Sequence, residues 1–230
     1  MKYKSVIVAG ASGSVGGCVF SHNRYGPYVR NRSLPTNPNS SFQQTVRSNF
    51  SLLATAWNVD LDDSERAAWD NYASQVARFD SAGDPIFTTG LNWYIAINTL
   101  RLNQGITRLD AAPLLMNMTG LAPVLLGVAD VSAQSLSLNF DTTDEWNADN
   151  GWLFVFMGRP QNESINFFKG PFRFAASLEG DTAVPLTPPQ VITGTPFVFG
   201  LGQRIFIRVI ATAPDGRIST PQITSVIATA

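Results

Sequence analysis

From about residue 120 to its end the chain is a succession of short apolar runs separated by turn signals. No other feature limits the fold as much. Strands are expected at residues 124–128, 135–140, 152–157, 165–169, 172–176, 197–199, 204–212 and 223–228. Several alternate with period two, as a strand with one buried face requires. Leu136, Leu138 and Phe140 share one side, and Ile205, Ile207, Val209 and Ala211 share another. Ala213-Pro-Asp-Gly216 is a turn sequence between two such runs. Seven or eight short strands over ~110 residues predict an all-β two-sheet sandwich for residues 120–230.

Residues 42–104 change period. Phe42, Val46, Phe50, Leu53 and Trp57 recur every three or four positions, which predicts one amphipathic helix. A second helix opens at Asp62-Asp-Ser-Glu65, where Asp62 can cap and Glu65 can close a capping box. Its stripe is Leu61, Trp69, Tyr72, Val76 and Phe79, and Gly83-Asp-Pro85 ends it. A third follows Thr88-Thr-Gly90, carries Leu91, Tyr94, Ile95, Asn98 and Leu102, and stops at Gly105. Residues 105–119 read as a linker.

Residues 1–41 are glycine- and proline-rich and extended. Val6, Ile7 and Val8 favour a strand, and Val19-Phe20 and Tyr28-Val29 flank a hairpin turn at Asn23-Arg-Tyr-Gly-Pro27. Pro35 and Pro38 hold their predecessors extended. The expected class is therefore α+β and multidomain: an extended β arm (1–41), a short helical anchoring segment (42–104), a linker (105–119) and a sandwich (120–230).

Charge is scarce and segregated. Only 14% of the 230 residues are charged, against roughly 25% in an average soluble domain. Ser, Thr and Asn fill the gap, a composition suited to a surface packed against other subunits. The first carboxylate is Asp60, so residues 1–59 carry +6 while the remainder carries −7. Such a basic arm can touch nucleic acid or reach the acidic part of a neighbouring copy. Six charges over 59 residues, with no Lys/Arg-rich window, favour the subunit contact. Arg24, Tyr28, Arg30, Arg32 and Arg47 are its candidate residues, with Trp57, Trp69 and Trp93 as anchors of the helical segment.

Catalytic patterns are weak. One cysteine and one histidine exclude disulfide frameworks and His-rich metal sites. Cys18 and His22 lie four apart in a strand-like stretch, where that spacing puts them ~13 Å apart, too far for proton transfer. Gly10-Ala-Ser-Gly13-Ser-Val-Gly16 follows an apolar run and resembles a dinucleotide-binding turn. The residues after it hold Gly26, Pro27, Pro35 and Pro38, so no crossover helix is expected, and no acidic residue follows to hold a ribose. Asp141, Asp144, Glu145 and Asp149 crowd one loop, a set of hard oxygens suited to Ca²⁺ but without the D-x-D-x-D-G spacing. No cofactor, metal or enzymatic activity is expected. Pro113 and Pro123 interrupt the richest apolar stretch, so no membrane span is expected either. The apolar core near Met1-Lys-Tyr-Lys is only about seven residues, too short for a secretion signal.

Residues 16–69 carry a resemblance. Gly16-Gly-Cys-Val-Phe-Ser21, Tyr28-Val-Arg30, Pro35-Thr-Asn-Pro38, Gln43-Gln44, Arg47, Phe50, Trp57 and Trp69 stand in an order and spacing similar to a module of tailed-phage and prophage structural proteins. In the C-terminal part, Leu121-Ala-Pro123, the alternating run from Ile205 to Ala211, and Pro214-Asp-Gly-Arg217 resemble a fibronectin-III-like or immunoglobulin-like sandwich. The resemblance implies a non-enzymatic virion component. Its place would be that of a capsid-associated decoration, cement or other minor protein, with other virion proteins and copies of itself as partners. The alternative it leaves open is a tail- or fibre-associated adhesion module. There the loops near 141–150 and 161–166 would bind a host surface glycan or protein.

Overall fold

The apolar residues segregate into two cores, one between helices and one between sheets, and the elements follow from them. The computed structural model describes residues 11–23, 26–34, 36–79, 84–116, 118 and 121–230. The expected strand at Val6–Val8 therefore lies outside the described residues, as do Gly10, Arg24, Tyr25, Pro35 and Gly83. The fold mixes helix and strand, three helices with several antiparallel sheets among the described residues. The chain divides into two units, residues 1–44 and 45–230.

In the first unit, β1 (Gly13–Val15), β2 (Cys18–Asn23) and β3 (Gly26–Asn31) form an antiparallel meander in the order β1-β2-β3. Cross-strand partners share a face. Phe20 pairs with Val29 and Val15 with Cys18, giving one apolar face. Val19 pairs with Arg30 and Ser21 with Tyr28, giving the other. The hairpin expected around residues 23–27 is thus present as β2 and β3.

The helices are α1 (Ser41–Val59), α2 (Asp63–Gln75) and α3 (Gly90–Leu102). At the start of α2, the Asp62 carboxylate accepts from the Glu65 amide, while the Glu65 carboxylate accepts from the Asp62 amide. This reciprocal capping box was legible from the sequence. Gly90 opens α3 where it presses on α2: a Cβ there would lie 2.6 Å from the Asp70 amide nitrogen. Strands β4 (Arg78–Phe79) and β5 (Pro85–Ile86) pair between α2 and α3.

The helical core is aromatic. Trp69 meets Tyr72 and Tyr94 edge-on, at 6.2 and 5.5 Å between ring centroids, and Tyr72 meets Trp93 at 5.4 Å. Leu53, Trp57, Leu61, Val76 and Ile97 complete it. Only the C-terminal part of the expected α1 stripe is used. Leu53 and Trp57 are buried, whereas Phe42 and Phe50 are 70% and 54% exposed.

Residues 106–110, expected as part of a linker, are tied to the helices by hydrogen bonds. The buried Asn98 side chain accepts from the Leu109 amide at 2.6 Å and donates to its carbonyl at 2.9 Å. Trp69 Nε1 donates to the Asp110 carbonyl, and the Tyr94 hydroxyl donates to the Asp110 carboxylate. Arg101 Nε donates to the Thr107 carbonyl. A buried amide satisfied on both sides costs ~1–3 kcal/mol per orphaned group when removed, so Asn98 fixes this strip in one register.

Seven further strands follow: β6 (Leu125–Asp130), β7 (Ser135–Asn139), β8 (Trp152–Gly158), β9 (Phe172–Glu179), β10 (Gln190–Ile192), β11 (Arg204–Thr212) and β12 (Gln222–Ile227). They form a three-stranded sheet, β10-β7-β6, and a four-stranded sheet, β12-β11-β8-β9. Leu126, Leu136 and Leu138 from the first share one core with Leu153, Val155, Met157, Ile205, Ile207 and Val209 from the second. The alternation read from the sequence marks these inward positions.

Two expected strands are loops. Residues 165–169 form no strand, and their apolar content has another use. Phe168 stacks on Phe206 at 5.6 Å and covers the outside of the four-stranded sheet. Residues 197–199 likewise form no strand, although Phe199 is buried in the sheet core. Strand β10 was not foreseen, because Pro188 and Pro189 precede it and it contributes one buried residue, Ile192.

Tyr72 gives this core a pH limit. Burial, and then the Asp215 carboxylate, push its phenol up to about 12, and burial also raises Tyr94. An unfolded phenol ionises near 10, so between pH 10 and 12 the unfolded chain binds fewer protons and stability falls with rising pH. The stabilisation is complete below pH 10, and Tyr72 accounts for roughly 2–3 kcal/mol of the alkaline loss. Melting temperature followed from pH 9 to 12 is expected to fall steeply in the wild type and less steeply in Tyr72→Phe. Identical slopes would contradict this assignment.

Candidate interaction surfaces

The residues singled out in the sequence do not gather in one place. Arg24 lies outside the described residues. Tyr28 and Arg30 are alternate residues of β3 and share its polar face, Tyr28 partly buried and Arg30 exposed. Arg32 follows the strand with an exposed side chain, and its amide donates to the Gly17 carbonyl at 2.8 Å. Arg47 is exposed on the second turn of α1, in the other unit.

Trp57, Trp69 and Trp93 occupy a different environment from the expected anchors. Their exposures are 9%, 0% and 7%, and all three belong to the helical core. Arg78 lies over the Trp93 ring at 4.2 Å. Physically the reason is size: three helices of 13 to 19 residues enclose little volume, and indoles fill it. The large apolar side chains that α1 leaves in solvent are instead Phe42, Phe50, Leu52 and Val59.

The features weighed for chemistry are placed as follows. Cys18 and His22 share a face of β2, four residues apart along an extended strand. Gly16 and Gly17 form the tight turn between β1 and β2, with Gly16 at φ +57°, so a strand rather than a helix follows the glycines. In the acidic loop each carboxylate has its own partner. Asp141 accepts from the Thr143 amide, Asp144 from the Ala122 amide and Asp149 from the Thr182 amide, while Glu145 pairs with Arg217 at 3.1 Å. Burial raises the Asp144 carboxyl, and hydrogen bonds from Thr143 and Thr182 lower those of Asp141 and Asp149. Among the described residues no group of three His, Cys, Asp or Glu side chains could hold a metal ion, and no helix is long and apolar enough to cross a membrane.

Strand register reveals a feature that no local motif shows. Strand β8 runs from Trp152 to Gly158, and both β9 and β11 are antiparallel to it. The end of the sheets holding Gly158, Phe172 and Arg204 carries Arg159, Lys169, Arg173 and Arg204, with Arg208 mid-strand, and also the carboxylates of Glu163 and Asp130. The opposite end, with Trp152, Glu179 and Thr212, carries Asp141, Asp144, Glu145, Asp149, Asp181 and Asp215, two of them paired with Arg217. At the basic end Arg208 lies over Phe156 at 5.0 Å and Phe172 at 5.4 Å, each measured to the ring centroid. Its Nε has no hydrogen-bond partner among the described residues, and burial lowers its pKa. Arg159 and Arg173 both approach the Phe197 ring, at 5.9 and 5.2 Å. In the loops, Phe167 is 75% exposed, with Ile165, Val198 and Leu201 also in solvent. At the acidic end Asp149, Glu179 and Asp181 line an open concavity with Val184 and Leu186.

The burial of the tryptophans separates a core role from an assembly role. Trp69→Ala is expected to cost ~3–5 kcal/mol in denaturant unfolding, the usual loss for a fully buried large aromatic. A Trp69→Ala chain with wild-type stability but defective assembly would reverse that assignment. Set beside known proteins, the chain matches no family model and no curated protein.

Proposed function

We propose that the protein is a non-enzymatic structural component of a phage virion, a capsid-associated decoration, cement or other minor protein that assembles through its N-terminal arm. The observation that carries this reading is the segregation of charge between the two units. The arm holds basic residues and no carboxylate, and every carboxylate follows Asp60. An arm of this kind on a neighbouring copy would bring guanidinium groups to carboxylates, the pairing with the strongest directional hydrogen bonds. The apolar face of β1–β3 and the exposed Phe42 and Phe50 supply surface for the same contact.

The strand order supports the finer description of the C-terminal part. A β10-β7-β6 sheet facing a β12-β11-β8-β9 sheet is the arrangement of a fibronectin-III-like sandwich, with three strands on one layer and four on the other. In this reading the sandwich is a spacer held out from the lattice by the helices. A second reading, a tail- or fibre-associated adhesion module that binds a host glycan or protein, is favoured by one observation. The loop between β8 and β9 displays Ile165 and Phe167 at the tip of the sheets.

Deleting residues 1–41 tests the first reading. The truncated chain is expected to keep the two facing sheets built from β6 to β12 and its buried tryptophan fluorescence, and to lose incorporation into particles. Normal incorporation of the truncated chain would overturn it.

A further inference from the structure

We propose that the two ends of the sheet pair recognise each other between copies, the basic aromatic end of one chain docking in the acidic concavity of the next. This deepens the assembly reading above and rests on it. The basic end sets arginines against aromatic rings, the pairing found in interface cores, on both faces of the four-stranded sheet. Arg173, opposite the inward Met157, and Arg159 lie at Phe197, and Arg208 lies with Phe156 and Phe172 on the outer face. Arg159, Arg173 and Arg208 lie against Phe197, Phe156 and Phe172, and none of the three forms an ion pair among the described residues. Arg208 is held against two rings, and among the described residues no carboxylate pairs with its guanidinium. A carboxylate delivered from outside would complete it.

The concavity at the opposite end is a matching acceptor. Asp149, Glu179 and Asp181 are exposed around the concavity at the opposite end, and Val184, 72% exposed, gives it an apolar wall against which Phe167 could pack. Glu179 and Asp181 form no ion pair among the described residues. Charge and apolar surface are thus complementary at the two poles of one molecule. A foreign acidic protein or a nucleic acid would use the basic end and leave the acidic end unexplained. Because the two surfaces differ, the contact is heterologous and propagates into strings or closed rings rather than stopping at a two-fold dimer.

The test uses the full chain, its mass followed by sedimentation against protein and salt concentration. The wild type is expected to form concentration-dependent multimers that dissociate as salt screens the contact. Two variants each disable one end at exposed positions by removing charge: Arg159→Gln with Arg173→Gln, and Glu179→Gln with Asp181→Asn. Each alone should be a folded monomer by circular dichroism. Mixed in equal amounts they should give twice the monomer mass and no more, because each keeps one working pole. Arg208→Gln should weaken wild-type association at least tenfold. A wild type that stays monomeric at every concentration, variants that associate as the wild type does, or a mixture that stays monomeric would each overturn the proposal. So would binding of a single-stranded oligonucleotide at the basic end without self-association. The readout is end-to-end association of chains that keep the arm. Its failure is therefore distinguishable from normal incorporation of the chain lacking residues 1–41.

Discussion

The loop between β11 and β12 is the constraint on which the second unit depends, because both hydrophobic cores meet there. Ala211 belongs to the sheet core, and seven residues later Ile218 packs against the helical one. Between them Gly216, at φ +94°, brings the backbone so near the helices that an added Cβ would lie 2.8 Å from Leu109 and 3.3 Å from Ile97. Arg217 is 6% exposed and is held by Asp215 at 2.8 Å and Glu145 at 3.1 Å. Losing one partner of so buried a guanidinium leaves an uncompensated charge, a penalty of ~3–5 kcal/mol. The loop therefore holds one conformation, and the helices and sheets inherit their register from it.

Scarcity of charge gives each remaining charge more consequence. Some guanidinium groups are well paired, Arg217 with two carboxylates and Arg108 between Asp60 and Asp110. Of the rest, the end of the sheets near Arg204 is richer in arginine and the end near Glu179 is richer in carboxylates. A net charge of −1 conceals this separation. The molecule is nearly neutral as a whole and strongly dipolar in its sheet portion, which favours oriented approach over nonspecific attraction.

Features governed by neighbours in the chain were legible in the sequence. The Asp62–Glu65 capping box depends on residues three apart, and the inward residues of β7 and β11 follow from period two. Features governed by distant residues were not. The loop at residues 165–169 is as apolar as a strand, yet its Phe168 is needed over Phe206, nearly forty positions away. The α1 stripe predicts an amphipathic helix without revealing that its partners reach only from Leu53 onward. The tryptophans were recognisable as packing residues, but sequence does not say against what a large ring packs. The basic end required register most of all. Arg159 and Arg173 are far apart in the chain and meet at the Phe197 ring only once β8 and β9 are aligned.

The shared loop also governs how such a chain can be recombined. A breakpoint near residue 120 looks natural in the sequence, where helical periodicity gives way to alternation. A graft cut there would carry Ile218 and Gly216 without the Leu109 and Ile97 they rest on, and would leave the helices with an uncovered apolar cap. Inheritance and engineering alike must therefore treat residues 45–230 as one cassette. The loop between β8 and β9, in contrast, touches among the described residues only the sheet core and its outer face.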